Sequence, residues 1–385
     1  MTSPEFPLIA IDGNFLQMPG TGIATYLRCL HDALVANADA YGIRVSLLEP
    51  GAGRLLKPGG RAQRLLWDAF GVTGKALATS PRPDLLHLPQ FSAPFSSPMP
   101  MVVTIHDVIP LVLPEYRASG AMRIYLRIMT RTVKKARRIV VPSESAAADV
   151  IRVLRIPAAK VVVIPEAASP DLVPDQTGES REFVRQRFGI EGPYLFNIGG
   201  FDVRKNLPLL LQAFAQAWPL FPAETTLAIA GAPQSDRAAM FPPLDPLIAK
   251  LGLGNHVRLV GRVSDDERRS LYQAAAAYVT PSMYEGFGLT PLEAMACGVP
   301  AIVANRTSLP EVVGNTGIVV EPTVDAFAQA MVDLLRDDAR RANLGETSLA
   351  RASEFTWEKA AAETVAVYRA VTTRSSGAGT TPAAG

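Results

Sequence analysis

The 385-residue sequence predicts an α/β protein made of two doubly wound parallel sheets that face each other across a cleft. Two observations carry this expectation. Short apolar runs alternate with helix-compatible stretches, and the alternation occurs twice, once on each side of a turn-rich segment. A chain of this length with 48% hydrophobic residues also exceeds the usual size of one domain. In open parallel sheets ligands sit beyond the carboxyl ends of the strands, hence the expected cleft.

The first series of apolar runs comprises Leu8 to Ile11, Arg44 to Leu48, Asp84 to Leu88, Met101 to Ile105, Ile139 to Val141 and Val161 to Ile164. Turn formers then crowd Pro165 to Pro170 and Asp175 to Ser180, which reads as a linker with its boundary near residue 178. The second series is Tyr194 to Ile198, Thr226 to Ala230, Val257 to Val260, Ala276 to Thr280, Ala301 to Ala304 and Ile318 to Val320. The expected organisation is a domain over 1–178, a second over 179–357, a helix over 358–374 crossing back to the first domain, and a small-residue tail, 375–385, that should be disordered.

Composition narrows the function. Lysine and arginine total 38 against 36 acids, a net charge of +2 that gives no general case for nucleic acid. Residues 1–180 carry 19 basic and 15 acidic side chains, so the basic excess lies in the first half. Cys29 and Cys297, each inside an apolar helical pattern, indicate neither a disulfide framework nor a thiolate metal site, and the cytoplasm is the expected home. The four histidines lack metal-ligand spacing and offer no zinc site. No run approaches the ~18 apolar residues of a membrane span, and any membrane contact should be peripheral.

The most informative run is Glu285-Gly-Phe-Gly-Leu-Thr-Pro-Leu-Glu293, two carboxylates around a glycine turn. Apolar residues lead into it, and Ala294-Met-Ala-Cys-Gly-Val-Pro300 reads as a helix that then stops. Gly286 and Gly288 let successive N–H groups turn toward a ligand, and a helix start there favours phosphate. Ionised carboxylates accept hydrogen bonds from ring hydroxyls in pairs. Such a site suits a sugar joined to a phosphate. A second loop, Gly199-Gly-Phe-Asp-Val-Arg204-Lys205-Asn206, follows a strand and sets two cations before a helix, as phosphate also prefers.

These residues resemble the family 4 glycosyltransferases, retaining enzymes of the B-type fold with two Rossmann-like domains. The resemblance covers nearly the whole chain; the Glu-x7-Glu run and Pro281 to Thr290 carry it. It implies transfer of a sugar from a nucleotide diphosphate sugar to an acceptor hydroxyl, without a metal ion. By similarity, Glu285 contacts hydroxyls of the donor sugar and Glu293 the ribose. Backbone N–H groups of Phe287, Gly288 and Leu289 hold sugar and pyrophosphate, with Thr290 beside them. Arg204 and Lys205, after Gly199, would neutralise the leaving diphosphate. Many relatives place an arginine directly after the strand glycine, where this chain has Gly200.

In the first domain, Asp12 to Thr25 follows the first strand and opens a helix; its Gly20-Thr21-Gly22 resembles the family's first glycine loop, which closes over the diphosphate. The same residues resemble part of a dinucleotide fingerprint, with Glu49 as a ribose acid, although Thr25 replaces the third glycine. Thr104-Ile-His106-Asp107 closes the fourth strand and matches members that transfer mannose-like sugars, so the expected donor is GDP-mannose. By similarity His106 contacts donor or acceptor and Asp107 orients its imidazole; His87 is a weaker candidate. Between Arg117 and Arg138 lie eight basic residues and no acid, with Arg123, Arg127 and Arg131 at four-residue steps. That resembles a basic amphipathic helix for an anionic membrane and a polyprenyl-linked acceptor; Arg54, Lys57, Arg61 and Arg64 form a second patch. Two alternatives remain open at this stage: a non-catalytic or phosphorylase-like member of the same fold, and a nicotinamide-dependent oxidoreductase.

Overall fold

The computed structural model describes residues 6–18, 21–50, 65–117, 120–221, 225–233 and 237–372. Each apolar run is a strand: β1 Leu8–Asp12, β2 Arg44–Leu48, β3 Leu85–Leu88, β4 Met101–Thr104, β5 Arg138–Val141, β6 Val161–Val163, β7 Tyr194–Ile198, β8 Thr226–Ala230, β9 Val257–Gly261, β10 Ala277–Thr280, β11 Ala301–Ala304 and β12 Ile318–Val320. They form two six-stranded sheets, ordered β2-β1-β3-β4-β5-β6 and β12-β11-β10-β7-β8-β9. All neighbours run parallel, with β1 beside β3 in one sheet and β7 beside β10 in the other. Helices connect the strands, so the central strands are buried on both faces. That is why they read as unbroken apolar runs and not as alternating patterns.

The backbone divides into two compact units, Met1–Glu166 with Thr356–Gly385, and Ala167–Phe355. The boundary falls after Glu166, not near residue 178. The turn-rich segment belongs to the second unit for a packing reason: Leu172 is buried in that unit's apolar core, Gln273 Nε2 donates to the Val173 carbonyl at 2.6 Å, and Ser180 Oγ donates to Gln273 Oε1 at 2.6 Å. The last helix, Trp357–Thr372, packs on the helix Gly22–Ala36 and buries Trp357, Ala361, Val365 and Tyr368. The tail 375–385, Gly20, and the patch Arg54, Lys57, Arg61 and Arg64 lie outside the described residues.

Local signals set the helix ends. The Thr21 hydroxyl accepts the Ala24 N–H and starts the helix Gly22–Ala36. Ser264 and Glu267 form a reciprocal capping box before Asp265–Gln273. The helix Leu289–Ala296 ends where Gly298 adopts a φ of 73°, as the Gly-Val-Pro stop predicts. Among the described residues no helix is long and apolar enough to cross a membrane.

Candidate active site

In the second unit, the strand ends of β7 and β10 bring together the basic loop and the Glu-x7-Glu run. Gly199 leaves β7 with a φ of 153°, and a side chain there would meet the Lys205 stem at 3.0 Å. At Gly231 a Cβ would lie 1.9 Å from the Gly199 carbonyl oxygen. Two bare backbones thus let Lys205 fold back along the strand end with its side chain 8% exposed. Its Nζ donates to Glu285 Oε1 at 2.7 Å. Arg204 donates through Nη1 to Glu285 Oε2 at 2.6 Å and to the Tyr284 carbonyl at 2.9 Å, while its Nε lies 3.3 Å from Asp202.

Glu285 is therefore gripped on both oxygens. Burial opposes its charge, but the flanking cations prevail and hold its pKa down at about 2. Its backbone is fixed as well: the N–H donates to Thr307 Oγ1 at 3.0 Å and the carbonyl accepts from Ser308 Oγ at 3.0 Å. Beyond it Gly288, with a φ of 118°, opens the helix Leu289–Ala296, and no side chain caps that start. Phe287 is buried edge-on against Phe355, and Leu289 and Thr290 stay half-buried, Thr290 accepting from the Tyr278 hydroxyl at 2.8 Å. A carboxylate and two cations thus stand beside a helix N-terminus, an arrangement that serves hydroxyls and an anion together.

Glu293 occupies a different environment. It is 2% exposed, and both oxygens already have protein partners: Arg268 Nη1 at 2.8 Å and the Tyr272 hydroxyl at 2.8 Å. Burial raises its pKa despite the nearby arginine. The two carboxylates of the run are thus pushed in opposite directions. Each Glu293 oxygen keeps a second acceptor site, which a further donor can use only if it reaches this buried position. Neither Arg268 nor Tyr272 stood out in the sequence, although both lie on one helix face four residues apart.

In the first unit, the ends of β3 and β4 carry His87 and His106. His87 is buried, bonded through Nδ1 to the Tyr368 hydroxyl at 2.6 Å and through Nε2 to Thr104 Oγ1 at 2.9 Å, and burial pushes its pKa down to about 3. It is a neutral structural residue. His106 departs from expectation in its partner. Its Nδ1 faces Glu166 Oε1 at 2.7 Å, whereas Asp107 accepts the Ile109 N–H at 3.0 Å and helps start the next helical turn. The carboxylate at the imidazole is therefore Glu166, which was hidden in the stretch read as linker.

Thr21 and Gly22 form the start of the helix Gly22–Ala36, separated from β1 by a 3-10 turn, Asn14–Gln17. No tight strand-to-helix turn exists there, which removes the structural basis of the dinucleotide alternative. At the end of β1 lies a further group. Asp12 accepts from Trp67 Nε1 at 2.7 Å and from Gln90 Nε2 at 3.0 Å, and the same Gln90 amide donates to Asp68 at 3.1 Å. Burial raises the Asp12 pKa to about 6.

The chain matches the model described as Glycosyl transferases group 1 over residues 180–351 and that of Glycosyltransferase Family 4 over residues 21–172. It is 34% identical over 269 residues to an O-antigen chain mannosyltransferase B of Escherichia coli, covering 70% of each chain. It is 29% identical over 274 residues to the serotype-specific mannosyltransferase WbdA of the same species, covering 69% of this chain and 32% of WbdA. Among solved structures, a sucrose-phosphate synthase from Thermosynechococcus elongatus superposes with a TM-score of 0.73 at 22% identity, over 96% of this chain and 100% of that one.

Proposed function

Because the chain belongs to the group 1, family 4 glycosyltransferases, we propose that it is a retaining hexosyltransferase that moves mannose from GDP-mannose to a hydroxyl of a glycan or polyprenyl-linked acceptor. One observation carries the site: the Glu285 carboxylate held between Arg204 and Lys205, next to the start of the helix Leu289–Ala296. The second unit binds the donor. Sugar hydroxyls donate to Glu285, and the diphosphate draws on Arg204, Lys205 and the N–H groups after Gly288. As the sugar leaves, negative charge grows on the phosphate, and two fixed cations stabilise it without a metal ion. The first unit, with Thr21, Gly22 and His106, takes the acceptor. The relatives named for mannose transfer support mannose as the sugar. The exposed arginine stripe of the helix Gly120–Val133 supports work at an anionic membrane surface on its cytoplasmic side.

A panel of nucleotide sugars in a thermal-shift assay identifies the donor, with GDP-mannose expected to give the largest rise. Nucleotide release is then measured with and without a mannose-terminated acceptor, and the anomeric configuration of the product is read by NMR. Release that depends on acceptor, with an axial linkage retained, is the expected result. Binding without turnover would instead place the chain among non-catalytic or phosphorylase-like members of the fold. An inverted product would overturn the retaining mechanism.

A further inference from the structure

His106 lies two residues past β4 and Glu166 three past β6, so the pair reaches across the end of β5. Both side chains are largely enclosed, 15% and 7% exposed. The imidazole meets an oxygen at each nitrogen: Glu166 Oε1 at 2.7 Å from Nδ1, and the Pro89 carbonyl at 3.1 Å from Nε2. Neither oxygen brings a proton, since a backbone carbonyl only accepts and an ionised carboxylate only accepts. A neutral imidazole would set one lone pair against an oxygen lone pair. The imidazolium, a donor at both nitrogens, satisfies both contacts.

We propose that Glu166 is a positioning residue for the transferase reaction, which rests on the function proposed above: its carboxylate fixes His106 as an imidazolium whose Nε2–H is offered to an oxygen of the substrate bound by the first unit. His106 is then a fixed cationic donor and not the base that takes the acceptor's proton. The two bonds differ in a way that suits this division. The shorter one joins opposite charges and anchors the ring, while the longer one ends on a neutral carbonyl, which a charged phosphate oxygen or a sugar hydroxyl can replace or share.

The surroundings agree. Tyr26 stands edge-on to the ring, 4.6 Å between centroids, as a neutral phenol bonded to Thr104 Oγ1, and Trp357 packs on Tyr26. His87 is held neutral by burial and so adds no positive charge beside it. Asp107 is a further charged neighbour and favours the imidazolium. Burial acts against protonation of His106, but the Glu166 charge and hydrogen bond, the Pro89 carbonyl and Asp107 together outweigh it and move the pKa up.

The test uses the full-length chain with 15N-labelled histidine. In the wild type the His106 signal should show both nitrogens still protonated past the ~6.5 of an unperturbed histidine. Glu166→Gln keeps an oxygen for the Nδ1–H but removes the charge, and should lower that titration by about one unit or more. The alkaline limb of kcat/KM should move down with it, whereas a purely structural change would lower activity without moving the limb. Glu166→Asp keeps the charge and should restore the titration if the glutamine variant folds poorly. A wild-type His106 that titrates no higher than an unperturbed histidine, or a titration that Glu166→Gln leaves in place, would overturn the positioning role. Wild-type kinetics in His106→Gln would instead overturn the placement of His106 in the reacting site, and the histidine spectra tell the two failures apart.

Discussion

Lys205 and Glu285 lie eighty residues apart in sequence and 2.7 Å apart in the fold, and both side chains are mostly enclosed. Removing one member of such a pair leaves the other's charge buried, which costs on the order of 3–5 kcal/mol. Glu285 answers two cations here, and in the proposed function hydroxyls and phosphate of the donor share those partners.

Glu285→Gln should therefore stay folded with a lowered melting temperature and lose turnover. A charged hydrogen bond to a sugar hydroxyl is worth about 1.5–3 kcal/mol, or roughly 10- to 100-fold in rate when realised at the transition state. Steady-state kinetics alongside a thermal melt check this. Turnover close to wild type would remove Glu285 from the site.

Lys205→Ala bears on the charge of the leaving group. It should weaken nucleoside diphosphate binding far more than nucleoside binding, as calorimetry would measure. Transfer should also continue in EDTA, because Arg204 and Lys205 supply the positive charge a metal would bring. Activity lost in chelator and restored by magnesium or manganese would refute this account.

How far the sequence reached depends on the kind of signal. β7 and β10 were legible because a parallel central strand is buried on both faces, and Tyr194–Ile198 and Ala277–Thr280 show it as unbroken apolar character. The loop after β7 and the Glu285 run were expected at one end of the sheet because ligands gather at the carboxyl ends of parallel strands, whereas the direct pairing of Arg204 and Lys205 with Glu285 was not anticipated. Glu166 was not anticipated: its neighbours Pro165 and Ser169 are turn formers, and composition does not report which backbone turns pack against a unit. The same applies to Arg268 and Tyr272, whose contacts with Glu293 depend on how one helix seats against another. A carboxylate motif can be found by its spacing, whereas its partners come from tertiary packing.

Asp12 gives a prediction in pH. Its folded pKa of about 6 lies above the ordinary value, so the native state binds the proton more tightly than the unfolded chain does. Its contribution to stability therefore rises as pH falls from about 7 toward 4, by roughly 3 kcal/mol at most. Glu285 acts in the opposite sense but lower, its stabilisation being lost only as pH falls from 4.5 through about 2. Asp12→Asn keeps an oxygen for the Trp67 N–H and cannot titrate. The stability difference between wild type and this variant, from denaturant melts at pH 5 and pH 7.5, should move in favour of wild type at the lower pH. A difference that does not change with pH would mean Asp12 is an ordinary ionised carboxylate.

The helix Gly120–Val133 buries Leu126, Met129 and Val133 and exposes Arg123, Arg127 and Arg131, with Met122 and Ile124 also exposed at its first turn. Three cations beside two uncovered apolar side chains match the surface of an anionic bilayer, where each basic residue adds roughly 1 kcal/mol. Reversing the three arginines to glutamate alters charge on the solvent side and leaves the Glu285 site untouched. Co-sedimentation with anionic liposomes should fall sharply in the triple variant, while transfer to a short water-soluble acceptor continues. Wild-type binding should also weaken with salt, because screening acts over about 10 Å at 0.1 M. Should wild type ignore such liposomes, or the triple variant bind them equally well, the stripe is a solvated helix face and the case for a lipid-linked acceptor loses its support in the first unit.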